Sequence, residues 1–208
     1  MNLPNALSVG RIVITPLIAA LPFANSWKLR LLAFVLFVIA AVTDYVDGKL
    51  ARSRKQETDF GRLLDPLADK ALLVGTFVPM YLLAPSFPFV TPAGTIGLPW
   101  WVVAVVLGRE VFMTVFRQAA ARRGVVIAAI GPAKWKTGFQ LVWQGSAYFW
   151  FFAATLAAAK DWNGGWWRAF ALFNGTVGTL VMVAAVVLTV YSLVVYLRSF
   201  GRVFAVQR

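Results

Sequence analysis

The chain has 208 residues, of which 60% are hydrophobic and 13% charged, and its net charge is +12. A mean hydropathy of +0.74 lies outside the range of soluble domains and indicates an integral membrane protein. The absence of Cys and His excludes disulfides, thiolate chemistry, imidazole zinc sites, Ser-His-Asp triads and phosphohistidine intermediates. Because the chain is so apolar, we expect its positive charge to reflect membrane topology and an anionic ligand, not nucleic acid.

Six apolar stretches have about the 20-residue length that a helix needs to cross a bilayer. In chain order, the predicted spans are residues 6–22, 29–52, 63–83, 99–117, 135–159 and 169–197. Short connectors marked by Asn, Pro and Gly separate several of them. Because we find no repeat and no composition break, residues 1–208 are predicted to form a single transmembrane domain of all-α fold with six transmembrane helices.

The distribution of Lys and Arg predicts the orientation of these spans. Basic residues concentrate in the connectors after spans two and four, whereas the connector formed by residues 84–98 has no charge. Short loops that are translocated across a membrane are poor in Lys and Arg. Both termini and the second and fourth connectors are therefore predicted to be cytoplasmic, and we expect the location to be a bacterial cytoplasmic (inner) membrane.

Four aspartates lie where spans two and three meet the cytosolic boundary. Asp44 and Asp47 end span two, and Asp65 and Asp69 begin span three. Their spacings of three and four residues place each pair on one helical face, so two adjacent helices can bring all four carboxylates together. Four like charges repel one another and are costly to desolvate, so they require cations between them.

Two kinds of cation could neutralise these carboxylates. One interpretation is a structural salt-bridge network with nearby Lys and Arg side chains. The other is a site for hard divalent ions, because Mg²⁺ prefers oxygen ligands shared with substrate phosphates, and two ions about 4 Å apart can clamp a phosphoryl transfer. A carboxylate one turn beyond the metal ligands could then accept the proton of an attacking alcohol.

Small residues continue the carboxylate-bearing faces. Gly48 and Ala51 follow the first pair by one turn each, and Gly61 precedes Asp65 by one turn. Small residues in membrane helices commonly serve close helix packing. Beside carboxylates they also favour room for a ligand against the backbone, and Arg52 could bind a phosphate of that ligand.

The pattern from Asp44 to Asp69 resembles the signature of the CDP-alcohol phosphotransferases, membrane enzymes that make phospholipids from CDP-activated donors. Every signature position and spacing is present. The resemblance implies a catalytic domain with six transmembrane helices, a homodimer and two divalent ions, Mg²⁺ or Mn²⁺. It implies that the metal ligands are Asp44, Asp47, Asp65 and Asp69, with Asp69 also the general base. It further implies that the residues around the cytidine diphosphate are Asp47, Gly48, Ala51, Arg52 and Gly61.

A second set of charged residues belongs to spans four and five: Arg109 and Glu110 lie inside span four, Arg117 ends it, and Lys134 and Lys136 begin span five. Adjacent helical residues point about 100° apart, so we expect Glu110 to meet Arg109 only through neighbouring helices. One interpretation is structural: the basic residues anchor the spans at the cytosolic boundary, and Arg109 and Glu110 form a pair that packs helices together. The other is that Arg109, Arg117, Lys134 and Lys136 form a basic pocket for a phosphate carried by the acceptor alcohol.

Stretches outside the signature resemble one branch of the family, the phosphatidylglycerophosphate synthases. They are residues 2–16, 108–129 and 134–140, with Ser8 where the branch usually has Thr and Ala133 where it commonly has Gly. This resemblance implies transfer from CDP-diacylglycerol to sn-glycerol 3-phosphate among membrane lipids, with release of CMP and phosphatidylglycerol phosphate. The alternatives are transferases of the same fold that act on phosphatidylglycerol, as cardiolipin synthase does, on inositol phosphate or on serine. A channel or transporter could also have charged residues within the membrane, but it would have no reason to keep this spacing of Gly, Ala and Asp.

Overall fold

A computed structural model describes residues 3–54, 59–125, 127 and 131–200 of the chain, without the side chains of residues 3–4, 45–54, 59–63, 65 and 132–134. These residues form six long α-helices: α1 (Leu3–Ala20), α2 (Trp27–Arg54), α3 (Asp59–Leu83), α4 (Trp100–Ala121), α5 (Gly131–Ala159) and α6 (Gly165–Phe200). Each helix contains most of one predicted span. The fold is therefore mostly helical, as expected.

Three segments of the described chain are long and apolar enough to cross a membrane. They are Asn5–Phe23, Pro66–Leu83 and Gly165–Phe200, which correspond to α1 with the short 3₁₀ helix that follows it, most of α3, and α6. By length and composition, these segments fit a membrane protein.

The main hydrophobic core draws buried residues from all six helices and from the connector between α3 and α4. Phe77 of α3 packs edge-on against Trp143 of α5 with ring centroids 5.0 Å apart, and Phe37 of α2 stacks on Tyr148 at 5.6 Å. The Tyr148 hydroxyl donates to the carbonyl oxygens of Ile18, at 3.2 Å, and Gly75, at 3.4 Å. This hydroxyl thus joins α5 to both α1 and α3 in the middle of the bundle.

A two-stranded antiparallel hairpin occupies the uncharged connector between α3 and α4. Strand β1 (Phe89–Thr91) pairs with β2 (Gly94–Ile96). The sequence analysis predicted only a connector marked by turn residues, so the all-α expectation is corrected at this point. The hairpin packs against α6 so closely that a Cβ at Gly175 would lie 2.0 Å from the Val90 carbonyl oxygen.

A buried arginine ties several elements together at the same end of the bundle as the hairpin. Arg30 of α2 donates from Nε to the Pro22 carbonyl oxygen at 2.9 Å and from Nη1 to the Thr155 hydroxyl of α5. Its guanidinium lies over the Phe87 ring, 4.5 Å from the centroid. The opposite end, where α2 and α4 finish and α3 and α5 begin, holds the charged residues singled out in the sequence.

Candidate active site

Two of the four predicted aspartates converge on a single cation. Asp44 of α2 and Asp69 of α3 both accept from Nη1 of Arg11 in α1, with a distance of 3.0 Å to Asp69. The Arg11 side chain is only 2% exposed, whereas those of Asp44 and Asp69 are 37% and 56% exposed. The two carboxylates therefore face open space on one side and a buried guanidinium on the other.

Arg11 was missed by the sequence analysis, which considered only basic residues close to the aspartates in the chain. Its guanidinium also lies 3.5 Å from the hydroxyl of Ser8, one turn earlier in α1. The available signal was a charged residue inside an apolar span, since such a residue needs a partner within the bundle. The nearest acidic candidates were the four aspartates themselves.

The other members of the predicted donor site fall outside the described side chains. Positions 47, 48, 51 and 52 belong to α2, and positions 61 and 65 belong to α3. Their helical placement agrees with the predicted spans, but the arrangement of Asp47, Gly48, Ala51, Arg52, Gly61 and Asp65 stays a prediction. Among the side chains that are described, no group of three or more acidic residues could hold a metal ion.

The second charged set forms a buried cluster between α4, α5 and α6. Glu110 accepts through Oε1 from Arg109, at 2.8 Å, and from the ammonium group of Lys136. Arg109 also donates from Nη2 to the Ser192 hydroxyl of α6 at 3.2 Å. One carboxylate thus forms ion pairs with two buried cations, so the cluster keeps a net positive charge.

The direct contact between Arg109 and Glu110 corrects the expectation that these neighbours would meet only through other helices. The 100° between adjacent helical positions separates their Cβ atoms, but the long guanidinium group of Arg109 reaches across that angle. Lys136 of α5, which was predicted only as a phosphate ligand, adds a contact to Glu110 from a neighbouring helix. The ion pair is therefore both local and shared between helices.

Arg117 extends the basic cluster toward the end of α4. Its Nη2 donates to the Tyr196 hydroxyl at 3.1 Å. The guanidinium carbons of Arg109 and Arg117 lie 5.9 and 5.5 Å from the centroid of the Tyr196 ring, within the range of cation–π attraction. Ser192 and Tyr196 were not predicted, because α6 was interpreted only as a hydrophobic span. Lys134 lies outside the described side chains.

A single cavity joins the carboxylates to the basic cluster. Its volume is about 470 Å³ and its wall includes Asp44, Asp69, Arg109, Glu110, Arg117 and Lys136. The two charged sets, which are far apart in sequence, therefore line the same space. The carboxylates in its wall are suited to cations, and the basic cluster is suited to an anion.

The sequence pattern of the CDP-alcohol phosphatidyltransferases matches residues 1–191. The chain belongs to this family. The resemblance found in the Asp44 to Asp69 signature is therefore confirmed over most of the chain and not only over the signature.

Curated relatives within the family carry the names of the predicted branch. A protein of Arabidopsis thaliana named CDP-diacylglycerol–glycerol-3-phosphate 3-phosphatidyltransferase 1, chloroplastic/mitochondrial, is 33% identical over 98% of this chain and 64% of its own length. A probable phosphatidylglycerophosphate synthase of Mycobacterium tuberculosis is 36% identical over 68% of this chain and 63% of its own length. A CDP-diacylglycerol–glycerol-3-phosphate 3-phosphatidyltransferase of Cereibacter sphaeroides is 38% identical over 68% and 60%. The chain spans less than two thirds of each of these relatives.

CDP-alcohol phosphatidyltransferases generally use divalent metal ions, and the chemistry of the ligands that this chain can offer agrees with such ions. The chain contains neither His nor Cys, so the available ligands are oxygen atoms, which Mg²⁺ and Mn²⁺ favour. Asp44 and Asp69 come from different helices, yet both contact the same nitrogen of Arg11. Two carboxylates that lie this close together could supply part of the oxygen ligands of a divalent ion.

Proposed function

We propose that the chain transfers the phosphatidyl group of CDP-diacylglycerol to sn-glycerol 3-phosphate, giving phosphatidylglycerol phosphate and CMP. The observation that carries this proposal is the shared cavity, which has Asp44 and Asp69 on its wall together with Arg109, Arg117 and Lys136. An activated lipid diphosphate needs cations held by carboxylates, whereas a small phosphorylated alcohol needs fixed positive groups. The cavity offers both within one space.

The basic cluster is the proposed binding site for the acceptor phosphate. Arg109 and Lys136 are buried, at 7% and 3% exposure, so their charges are weakly screened and act strongly on a phosphate dianion. Arg117 is held in place by Tyr196 and offers further guanidinium donors, which match phosphate oxygens in geometry. Glu110 aligns the two buried cations without cancelling their combined charge. Lys134 is proposed to join this site.

Asp69 is the proposed general base. Its carboxylate accepts the proton of the acceptor hydroxyl while the hydroxyl oxygen forms a bond to the phosphorus that carries diacylglycerol. The bond between that phosphorus and the bridging oxygen of the diphosphate breaks, and the electron pair leaves with CMP. A direct displacement of this kind needs no phosphoenzyme, in agreement with the absence of His and Cys.

Two Mg²⁺ or Mn²⁺ ions are proposed to be held by Asp44, Asp47, Asp65 and Asp69. When bound, such ions neutralise the diphosphate and stabilise the charge that develops on the leaving CMP. The cytidine diphosphate is proposed to lie against Asp47, Gly48, Ala51, Arg52 and Gly61. Support for this arrangement comes from the complete signature and from the contacts of Asp44 and Asp69 with Arg11.

We further propose that all six helices span a bacterial cytoplasmic membrane, with both termini and the cavity on the cytosolic side. Charged residues lower the hydropathy of α4 and α5, but Glu110 pairs with both Arg109 and Lys136 inside the bundle, and such pairing reduces the cost of burying charges in a membrane. Arg122 and Arg123 follow α4 at the end where that helix contributes Arg117 to the cavity wall, and short loops rich in basic residues stay in the cytosol. The homodimer implied by the resemblance stays a prediction.

The test is CMP release by the purified protein in detergent with CDP-diacylglycerol and Mg²⁺. Glycerol 3-phosphate, inositol 1-phosphate, serine and phosphatidylglycerol are offered in separate reactions. Turnover with glycerol 3-phosphate alone supports the proposed acceptor. Turnover with another of these alcohols keeps the family and the donor site but refutes the proposed acceptor.

A further inference from the structure

One face of α5 carries polar side chains along the wall of the cavity. Lys136, Gln140 and Gln144 follow one another at four-residue spacing, so they lie on the same side of the helix. Gln140 and Gln144 are 3% and 2% exposed. Tyr148 continues this face and bonds to backbone oxygens of α1 and α3. The row of side chains therefore leads from the basic cluster to the packed core.

The two glutamine amides are buried donors that the described residues leave without an acceptor. Neither Nε2 atom has a hydrogen-bond partner within the part of the chain that the structure describes. Burial of an amide without a hydrogen-bond partner is unfavourable, because the amide loses its bonds to water and gains none in return. Two such amides on one helical face, both in the wall of a cavity, indicate a polar ligand that completes their hydrogen bonds.

The neighbours of these amides restrict the kind of group that they bind. An anionic phosphate is better placed at the adjacent cations Arg109 and Lys136, because charge-assisted hydrogen bonds are about twice as strong as neutral ones. The reacting hydroxyl belongs at Asp69, which lies in the wall of the same cavity. Neutral amides in the same cavity suit a hydroxyl that carries no charge and does not react.

We propose that Gln140 and Gln144 bind the non-reacting hydroxyl of the acceptor and thereby select a polyol phosphate over a simple alkanol phosphate. This inference rests on the proposed function, in which Asp69 takes the reacting hydroxyl and the basic cluster takes the phosphate. In glycerol 3-phosphate, the C2 hydroxyl lies between those two groups. An amide offers both a donor and an acceptor, which matches the two hydrogen-bonding roles of a hydroxyl.

The experiment compares two acceptors that differ only in this hydroxyl, glycerol 3-phosphate and 1,3-propanediol monophosphate. The variants are Gln140→Leu and Gln144→Leu, which keep the approximate side-chain volume, with Asn163→Leu as the control because its amide is exposed and does not line the cavity. CMP release gives kcat/KM for each acceptor and KM for CDP-diacylglycerol. Thermal unfolding in detergent without substrate gives the stability of each variant.

We expect each of the two Leu variants to lower kcat/KM for glycerol 3-phosphate about 5- to 20-fold while that for propanediol phosphate changes little, as loss of one or two hydrogen bonds predicts. The control variant should keep the ratio between the acceptors. The melting temperatures of the Gln140→Leu and Gln144→Leu variants should stay the same or rise, since each removes a buried amide without a protein partner.

Equal losses with both acceptors, or a larger KM for CDP-diacylglycerol alone, would overturn the inference. So would a lower melting temperature with an unchanged acceptor ratio, because the amides would then have a structural role. These failures appear only in the variants. Failure of the proposed function would appear in the unmodified protein, as silence with glycerol 3-phosphate, and would overturn this inference with it.

Discussion

Replacement of Arg11 by Met should lower the thermal stability of the metal-free protein but increase the stabilisation that Mg²⁺ provides. The Arg11 guanidinium donates to both Asp44 and Asp69, and a hydrogen bond between charged groups contributes about 1.5–3 kcal/mol. Loss of one partner from a fully buried ion pair costs about 3–5 kcal/mol. Since the carboxylates are 37% and 56% exposed, water replaces part of the lost interaction, and we expect a cost of about 2 kcal/mol.

For a protein of this size, that cost corresponds to a fall in melting temperature of about 4–8 °C. The response to Mg²⁺ should change in the opposite direction. Arg11 and a divalent ion are attracted to the same carboxylates, so loss of the guanidinium charge leaves the site more negative and favours the ion. The rise in melting temperature on addition of saturating Mg²⁺ should therefore be larger in Arg11→Met than in the unmodified protein.

The assay is thermal unfolding of the purified protein in detergent, with EDTA or with Mg²⁺. Arg30→Met is the matched control, because Arg30 is also buried but bonds to a carbonyl and a hydroxyl. It should lower the melting temperature without changing the increment from Mg²⁺. An unchanged melting temperature for Arg11→Met in EDTA would refute the assigned ion pairs. An unchanged or smaller Mg²⁺ increment would refute the link between Arg11 and the metal site.

Three further predictions concern the base, the acceptor site and the hairpin. Asp69→Asn should lower kcat by about 10²–10⁴-fold while CDP-diacylglycerol binding stays nearly intact; an equal loss of donor binding would show that Asp69 is mainly a metal ligand. Arg117→Ala and Lys136→Ala should each raise the KM for glycerol 3-phosphate more than that for the lipid donor, and an unchanged value would remove the residue from the acceptor site. Gly175→Ala should destabilise the protein by about 1–3 kcal/mol, because its Cβ would lie 2.0 Å from a carbonyl oxygen of β1. Gly108→Ala, which meets nothing within 4 Å, is the control for thermal unfolding and should lack this effect.

The positions of the helices could be predicted from the sequence because each depends on a long apolar segment. The hairpin could not. Its strands have only three residues each, too few for an alternating pattern to stand out. Its position depends on contact with α6, where Gly175 allows the backbone of β1 to approach. That contact joins segments far apart in the chain, and local sequence carries no sign of it.

The donor side of the site was predicted from spacing, since the residues concerned lie on two consecutive helices. The prediction missed Arg11 because its partners are 33 and 58 residues away, and only the packing of α1 against α2 and α3 brings them together. Ser192 and Tyr196 were missed for a similar reason. They are buried polar residues on the face of α6 that contacts α4, and an almost uniformly apolar helix gave no basis for choosing that face.

The most direct test of the account is the stoichiometry of a reaction with CDP-diacylglycerol and isotopically labelled glycerol 3-phosphate. We predict that the purified protein with Mg²⁺ forms CMP and labelled phosphatidylglycerol phosphate in equal amounts, and releases no CMP when the acceptor is omitted. A burst of CMP without acceptor, equal to the amount of enzyme, would contradict direct displacement. CMP release without label in the lipid would contradict the proposed role of the cavity in joining donor and acceptor.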